Sequence, residues 1–255
     1  MNEWQLNLAS TSSQWLRTVQ KNFDAFIVDH ALNERKASAS AMTLVAHYPD
    51  RSELVEAMID LAIEELSHFK QVMKIIASRN LIIGNEKKDP YVNALRQNID
   101  KSDSEAYLLD RLLLGAVIEA RGEERFNLLA RDLADQSLRS FYTKISSSEA
   151  RHFALFLNLA TKYFNRKTVE GRLSEWIEIE KQINTLYTAP LLLCRFFAPI
   201  MEDRGSGTIV NITSLATVFP LPYMPIYNSG KSALSSFTQS MELESRKVEW
   251  IDFRL

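Results

Sequence analysis

The chain reads as mainly α: a four-helix bundle followed by a partial α/β segment. Three observations predict this. Between residues 12 and 164, apolar side chains recur at helical intervals along four long stretches with few breakers. Two of these stretches carry Glu-x-x-His, and each of the other two carries a lone glutamate about one helix-length upstream. From about residue 183 the pattern changes to a β-branched run, T-I-V-N-I-T-S, proline-rich loop chemistry and one more helix.

The elements follow in order. Leu16, Val19, Phe23, Phe26, Ile27 and Ala31 keep helical spacing and predict one helix from Ser12 to about Tyr48, ended by Pro49. Asp50 with Glu53 three residues later looks like a capping box opening a second helix to about Ser78. Asn80 to Pro90, with Gly84 and a charge cluster, reads as a loop, and a short helix follows over Tyr91–Ile99. Long helices are expected over Ser104–Leu133 and Ser137–Phe164, then an amphipathic one over Val169–Ile183. Beyond it, I-N-T-L-Y-T-A-P-L-L-L reads as helical, R-G-S-G as a turn, Tyr227–Ser245 as a helix and W-I-D-F-R-L as a last strand. Two domains are expected, 1–182 and 183–255.

The polar residues on the four long helices carry the chemistry. Glu34 lies 31 residues before Glu65, which with His68 forms E-E-L-S-H-F; Glu119 lies 30 residues before Glu149, which with His152 forms S-E-A-R-H-F. Residues three apart share a helix face, so both members of a Glu-x-x-His can aim at one ion. Four carboxylates and two imidazoles, placed this way on four helices, fit the ligand set of a two-iron centre inside a bundle. Oxygen and nitrogen ligands without thiolates suit iron or manganese. Four carboxylates at interior positions would be prohibitive to bury without compensating cations. The near-equal spacing also implies two helix pairs related by an approximate two-fold.

Composition narrows the field. The 255 residues are 46% hydrophobic and 24% charged, enough to build a packed core. A net charge of −2 supplies no global basic field, so any nucleic-acid contact must come from a local patch. The single cysteine, Cys194, excludes an internal disulfide and fits a reducing compartment. The N-terminus shows no signal-peptide pattern and the longest apolar runs are short for a bilayer, so a cytoplasmic protein without membrane contact is expected.

The stretches A-L-N-E-R-K-A, I-E-E-L-S-H-F, I-E-A-R-G-E-E-R-F and S-S-E-A-R-H-F together resemble the tRNA hydroxylase family usually called MiaE, over about residues 8–182. The resemblance implies a ferritin-like fold and a non-haem di-iron monooxygenase. Such an enzyme uses two iron ions (Fe2+/Fe3+) and O2 to hydroxylate the isopentenyl group of a modified adenosine beside the tRNA anticodon. The family's ligands map onto Glu34, Glu65, His68, Glu119, Glu149 and His152. Electrons would come from an external donor such as a ferredoxin or flavodoxin system. Gly122 departs from the small polar residue expected there and reads as a harmless substitution, or else a local bulge. A ferritin-like iron oxidase with the same ligands is the alternative.

The tail resembles a different family. G-S-G-T-I-V-N-I-T-S, Y-N-S-G-K and S-A-L-S-S-F-T-Q-S are similar to the middle of a short-chain dehydrogenase/reductase, a Rossmann-like fold. Ser214, Tyr227 and Lys231 match its catalytic serine, tyrosine and lysine, and Asn184 its helix asparagine. No G-x-x-x-G-x-G or G-x-G-x-x-G occurs to cradle a pyrophosphate, so the segment reads as incomplete and these positions as an inactive relic. It is also a candidate homodimer contact.

Other residues admit plainer readings. His30, one turn before Glu34, is either an outer partner of that ligand or a core histidine; His47 sits at a helix end, where positive charge is favourable. Arg35, Lys36, Arg121, Arg125 and Arg151 read as ion pairs or as the mouth of an RNA site. Lys70, Lys74, Arg79, Lys87 and Lys88 form a basic stretch suited to phosphate contact, though lysines on a solvated helix end are common. Phe69, Phe126 and Phe153 read as core packing that would also suit an apolar wall near the metals.

Overall fold

The computed structural model describes residues 4, 6, 8–84, 89–222, 224–244 and 247–255. Lys87 and Lys88 of the basic stretch, and part of the loop between Asn80 and Pro90, lie outside the described residues. The helices are α1 Ser13–Lys21, α2 Phe23–His47, α3 Ser52–Ser78, α4 Pro90–Arg96, α5 Ser104–Asp132, α6 Gln136–Tyr163, α7 Arg166–Ile183, α8 Ala189–Arg204 and α9 Pro225–Glu244. A π-helical turn, Asn184–Thr188, joins α7 to α8, and the strands are β1 Gly207–Thr213 and β2 Val248–Arg254.

Two expectations about helix ends are corrected. The first helix is broken at Asn22, whose backbone leaves helical angles while its side-chain amide donates to the Thr18 carbonyl at 2.9 Å. Asparagine competes for backbone groups in this way, which makes it a poor interior helix residue. Asp50 does not cap α3: the N-cap is Arg51, with no side-chain cap hydrogen bond, and Glu53 instead pairs with Lys162. Gly122 causes no bulge, because α5 runs through it as regular helix.

The chain divides into two compact units, one of Met1–Ser10, Lys88–Ile118 and Phe164–Leu255, the other of Thr11–Lys87 and Glu119–Tyr163. The second unit is the bundle: α1, α2, α3, the part of α5 from Glu119 onward, and α6. At one end its core is Val19, Phe23, Ile27, Ala31, Val72, Ile76, Leu129, Leu133 and Tyr142, with Phe69 and Phe126 packed against it. Small residues let helices approach closely. The Ser38 hydroxyl donates to the Ala62 carbonyl at 2.9 Å between α2 and α3, and Ser146 to the Glu123 carbonyl at 3.2 Å between α6 and α5.

In the first unit, buried Asp110 on α5 gathers four donors. Arg172 reaches it through Nε and Nη2, both at 2.7 Å, the Trp176 indole at 3.0 Å and the Asp100 amide at 2.6 Å. The tail builds a two-stranded parallel sheet in register from Gly207 opposite Val248 to Thr213 opposite Arg254. One face holds Ile209, Val248 and Trp250 against Cys194, Ala198 and Met201 of α8 and Phe237 and Met241 of α9. The other face leaves Val210, Ile212 and Phe253 exposed, although parallel sheets are usually covered on both sides. Gly205 ends α8 with φ of 84°, a left-handed angle that glycine adopts without a Cβ penalty. The run Arg166–Arg204 has an 18-residue window of mean hydropathy 1.2, long and apolar enough to cross a membrane by length and composition alone; about a quarter of that window is buried.

Candidate metal centre

All six proposed ligands lie in the bundle unit, near the middle of their helices, and all are buried: Glu34 on α2, Glu65 and His68 on α3, Glu119 on α5, Glu149 and His152 on α6. They form two overlapping groups. Ligand atoms of Glu34, Glu65, His68 and Glu149 lie within 4.8 Å of one another, and so do those of Glu65, Glu119, Glu149 and His152. Glu65 and Glu149, the first residue of each Glu-x-x-His, belong to both groups; each remaining carboxylate–imidazole pair belongs to one.

The imidazoles turn the same edge inward. His68 Nδ1 stands 3.6 Å from both Glu34 Oε2 and Glu65 Oε2. His152 Nδ1 stands 2.9 Å from Glu65 Oε1 and 3.6 Å from Glu119 Oε2. Yet His68 Nδ1, His152 Nδ1 and Glu65 Oε1 are buried and make no hydrogen bond. Buried polar atoms are nearly always satisfied, so three orphans within these two overlapping groups fit a cation's donor set.

The electrostatics agree. Burial drives the Glu149 carboxyl well above its ordinary range, and neighbouring Glu119 drives it further. Burial raises Glu34 too, with Glu65 adding to it against the opposing pull of His30. Burial would also raise Glu65, but the nearness of Glu34, His152 and His68 outweighs it and holds that carboxyl low. Desolvation opposes charge on both imidazoles, but Glu34 and Glu65 lift His68 to about 9, and Glu119 and Glu65 lift His152 to about 11. Protons thus occupy the place of positive charge, and a bound cation inverts this pattern by displacing them.

The surroundings hold residues that sequence reasoning placed and residues that it missed. His30 Nε2 meets Glu34 Oε1 at 2.5 Å, so His30 is an outer partner of that ligand, with its other nitrogen 3.4 Å from the Tyr142 hydroxyl. Tyr142 was missed, although it precedes Glu149 by two helical turns and so shares its face. Phe126 packs on His30 at 4.7 Å between ring centroids, and Phe153 is buried. Gly122 has a role: a β-carbon there would meet Glu149 Oε2 at 3.1 Å. Glu64 was passed over because its neighbour Glu65 filled the motif; its carboxylate lies at 3.2 Å from His152 Nε2.

The basic residues divide. Arg121 pairs with Glu124 and reaches the Thr11 hydroxyl at 3.2 Å, Arg125 lies over the Trp15 ring at 5.4 Å, and Arg151 bonds Glu64 at 2.6 Å. Arg79 pairs with Asp24 at 2.6 Å. Arg35, Lys70 and Lys74 are exposed, Lys36 is partly so, and exposed His47 closes α2. In the tail, Lys231 Nζ donates to the Ile212 carbonyl at 2.7 Å and lies 5.8 Å from the centre of the Tyr227 ring. Ser214 caps the Ala216 amide at 3.2 Å, and the Asn184 amide bonds Glu180.

Known proteins bear on both parts. A tRNA 2-(methylsulfanyl)-N(6)-isopentenyladenosine(37) hydroxylase of Pseudomonas putida is 34% identical over 153 residues, 60% of this chain and 74% of that protein. The Salmonella typhimurium enzyme of the same name is 32% identical over 155 residues, and the match spans 61% of this chain but only 56% of that relative's length. A solved structure, protein 43 with aldehyde deformylating oxygenase activity from Synechococcus, superposes with a TM-score of 0.68 at 33% identity, over 72% of this chain and 90% of its own. It supports the ferritin-like fold. A fatty acyl-CoA reductase of Mycobacterium tuberculosis is 33% identical over 91 residues, 35% of this chain and 31% of that protein, a partial likeness. The family model tRNA-(MS[2]IO[6]A)-hydroxylase (MiaE) matches residues 2–192, three quarters of the sequence, and the chain belongs to that family.

Proposed function

We propose that this chain is an O2-dependent di-iron monooxygenase that hydroxylates the isopentenyl group of a modified adenosine next to the anticodon of tRNA. One observation carries the reading: three orphaned buried ligand atoms converge inside two four-residue groups that share Glu65 and Glu149. Glu34 and His68 would hold one iron, Glu119 and His152 the other, with Glu65 and Glu149 serving both. When bound, the irons supply activation of O2 for insertion of one oxygen atom into an unactivated C–H bond.

The chain's own residues do the rest. His30 fixes the Glu34 carboxylate from outside, the usual duty of a group behind a ligand. Gly122 leaves room for Glu149 to swing without meeting a side chain. Phe126, packed on the His30 ring, and buried Phe153, next to His152 in sequence, would supply apolar surface that excludes water and suits a prenyl substrate. The tRNA would be bound through backbone contacts and a splayed loop base, with exposed Lys70 and Lys74 reaching phosphates. Electrons come from a separate ferredoxin or flavodoxin system, and the work is done in the cytoplasm. Residues 1–182 form the hydroxylase domain. Residues 183–255 are an incomplete reductase-like segment, inactive at Asn184, Ser214, Tyr227 and Lys231 and available for homodimer contact.

The test is nucleoside mass analysis of tRNA from a bacterium lacking its own hydroxylase, with this chain supplied. Gain of one oxygen on the isopentenyl adenosine, lost in Glu119→Ala and kept in Tyr227→Phe, supports the reading. No gain from a chain loaded with two irons would sink it in favour of iron handling.

A further inference from the structure

We propose that Glu64 is a positioning residue shared by both imidazoles of the centre. The proposal rests on the metal-centre reading and extends it outward to a residue that no ligand motif contains. Both histidines present Nδ1 to the carboxylate cluster, and both present Nε2 to Glu64. Glu64 Oε1 lies 3.8 Å from His68 Nε2, and Oε2 lies 3.2 Å from His152 Nε2. One carboxylate thus faces two rings on two helices, an oxygen for each.

The consequence is chemical. An ionised carboxylate only accepts hydrogen bonds, so it favours the tautomer with hydrogen on Nε2 and leaves the Nδ1 lone pair for a metal. Glu64 is itself held. The Ser148 hydroxyl and Arg151 Nη2, the latter at 2.6 Å, both donate to Oε1, and the same hydroxyl lies 3.4 Å from His152 Nε2.

The internal repeat explains why there is one such group. Glu64 immediately precedes the first Glu-x-x-His and Ser148 the second, so they are equivalent positions, and they meet. Two carboxylates there would repel; two hydroxyls would leave both rings without an anionic acceptor. The plainer reading is a half-exposed ion pair between Glu64 and Arg151, and such pairs contribute little.

The experiment separates these. The chain has four histidines, so ring signals of the Zn(II)-loaded protein labelled with 15N-histidine can be assigned. Wild type should show Nε2–H protons on His68 and His152 protected from solvent exchange. Glu64→Ala should lose that protection and bind Co(II) about 10- to 100-fold more weakly. Arg151→Ala should keep both protected protons and stay within about fivefold of wild type. Equal effects in the two variants, or protected protons in Glu64→Ala, would overturn the proposal while leaving the metal centre standing. A wild-type chain that binds neither Co(II) nor Zn(II) would overturn both.

Discussion

A β-carbon on Gly122 would stand 3.1 Å from Oε2 of Glu149, closer than side chains ordinarily tolerate. Gly122→Ala therefore sets two effects against each other. Alanine favours the helix by about 1 kcal/mol, but its methyl group displaces a carboxylate shared by both ligand groups. The metal-free protein should keep or gain stability in thermal unfolding. Co(II) affinity should fall by about tenfold, the size expected when a ligand is misplaced from behind. Unchanged affinity would mean that Glu149 moves aside at no cost.

Asp110 is the polar keystone of the other unit, and its loss should show as stability. Asp110→Ala leaves the buried Trp176 indole and the Asp100 amide without their acceptor and removes one of two carboxylates from Arg172, which keeps Glu175. Leaving such buried donors unsatisfied costs about 1–3 kcal/mol. Urea unfolding should report it; a loss under about 1 kcal/mol would show that water replaces the carboxylate.

Tyr142 gives a pH signature. Burial first, and the nearby Glu34 charge second, push its phenol far above the ordinary range. Because the folded pKa is raised, the folded state favours the neutral phenol, and that preference becomes a loss of stability only once pH rises past the unfolded value. Wild type and Tyr142→Phe should thus give the same ultraviolet tyrosinate titration while folded. The variant should resist alkaline unfolding slightly better. A missing tyrosinate step in the variant below pH about 10 would contradict this.

Cys194 offers a simple probe of the tail. Its thiol is buried beside Asn211, and burial raises its pKa despite that hydrogen bond. Since the thiolate is the reactive form, an aromatic disulfide reagent at neutral pH should react far more slowly than with a free thiol. Urea should restore the full rate. Fast reaction in buffer would show that the α8–sheet packing opens.

The bundle was legible because helical periodicity and ligand spacing speak for themselves over long stretches. The break at Asn22 was not: Val19, Phe23, Phe26 and Ile27 keep the helical period across it, and only the asparagine's back-bond to Thr18 interrupts the ladder. Asp50 illustrates the converse, a capping pattern present in sequence whose glutamate was drawn off by Lys162 on α6. Of the centre, the six residues that the fold gathers were readable. Glu64 and Tyr142 were hidden because Ser148, which meets the first, and His30, which meets the second, lie 84 and 112 residues away. Gly122 was hidden because what matters there is an absent atom.

The meeting of Glu64 with Ser148 has a consequence for the kinship of the two halves. Each helix pair, α2 with α3 and α5 with α6, carries three of the gathered residues in the same order, as tandem copies of one unit would. Yet they are no longer interchangeable parts. Two copies of the first would set carboxylate against carboxylate, and two of the second would give neither ring an anion to lean on. The halves have become left and right gloves: alike in plan, and able to close the centre only as a pair.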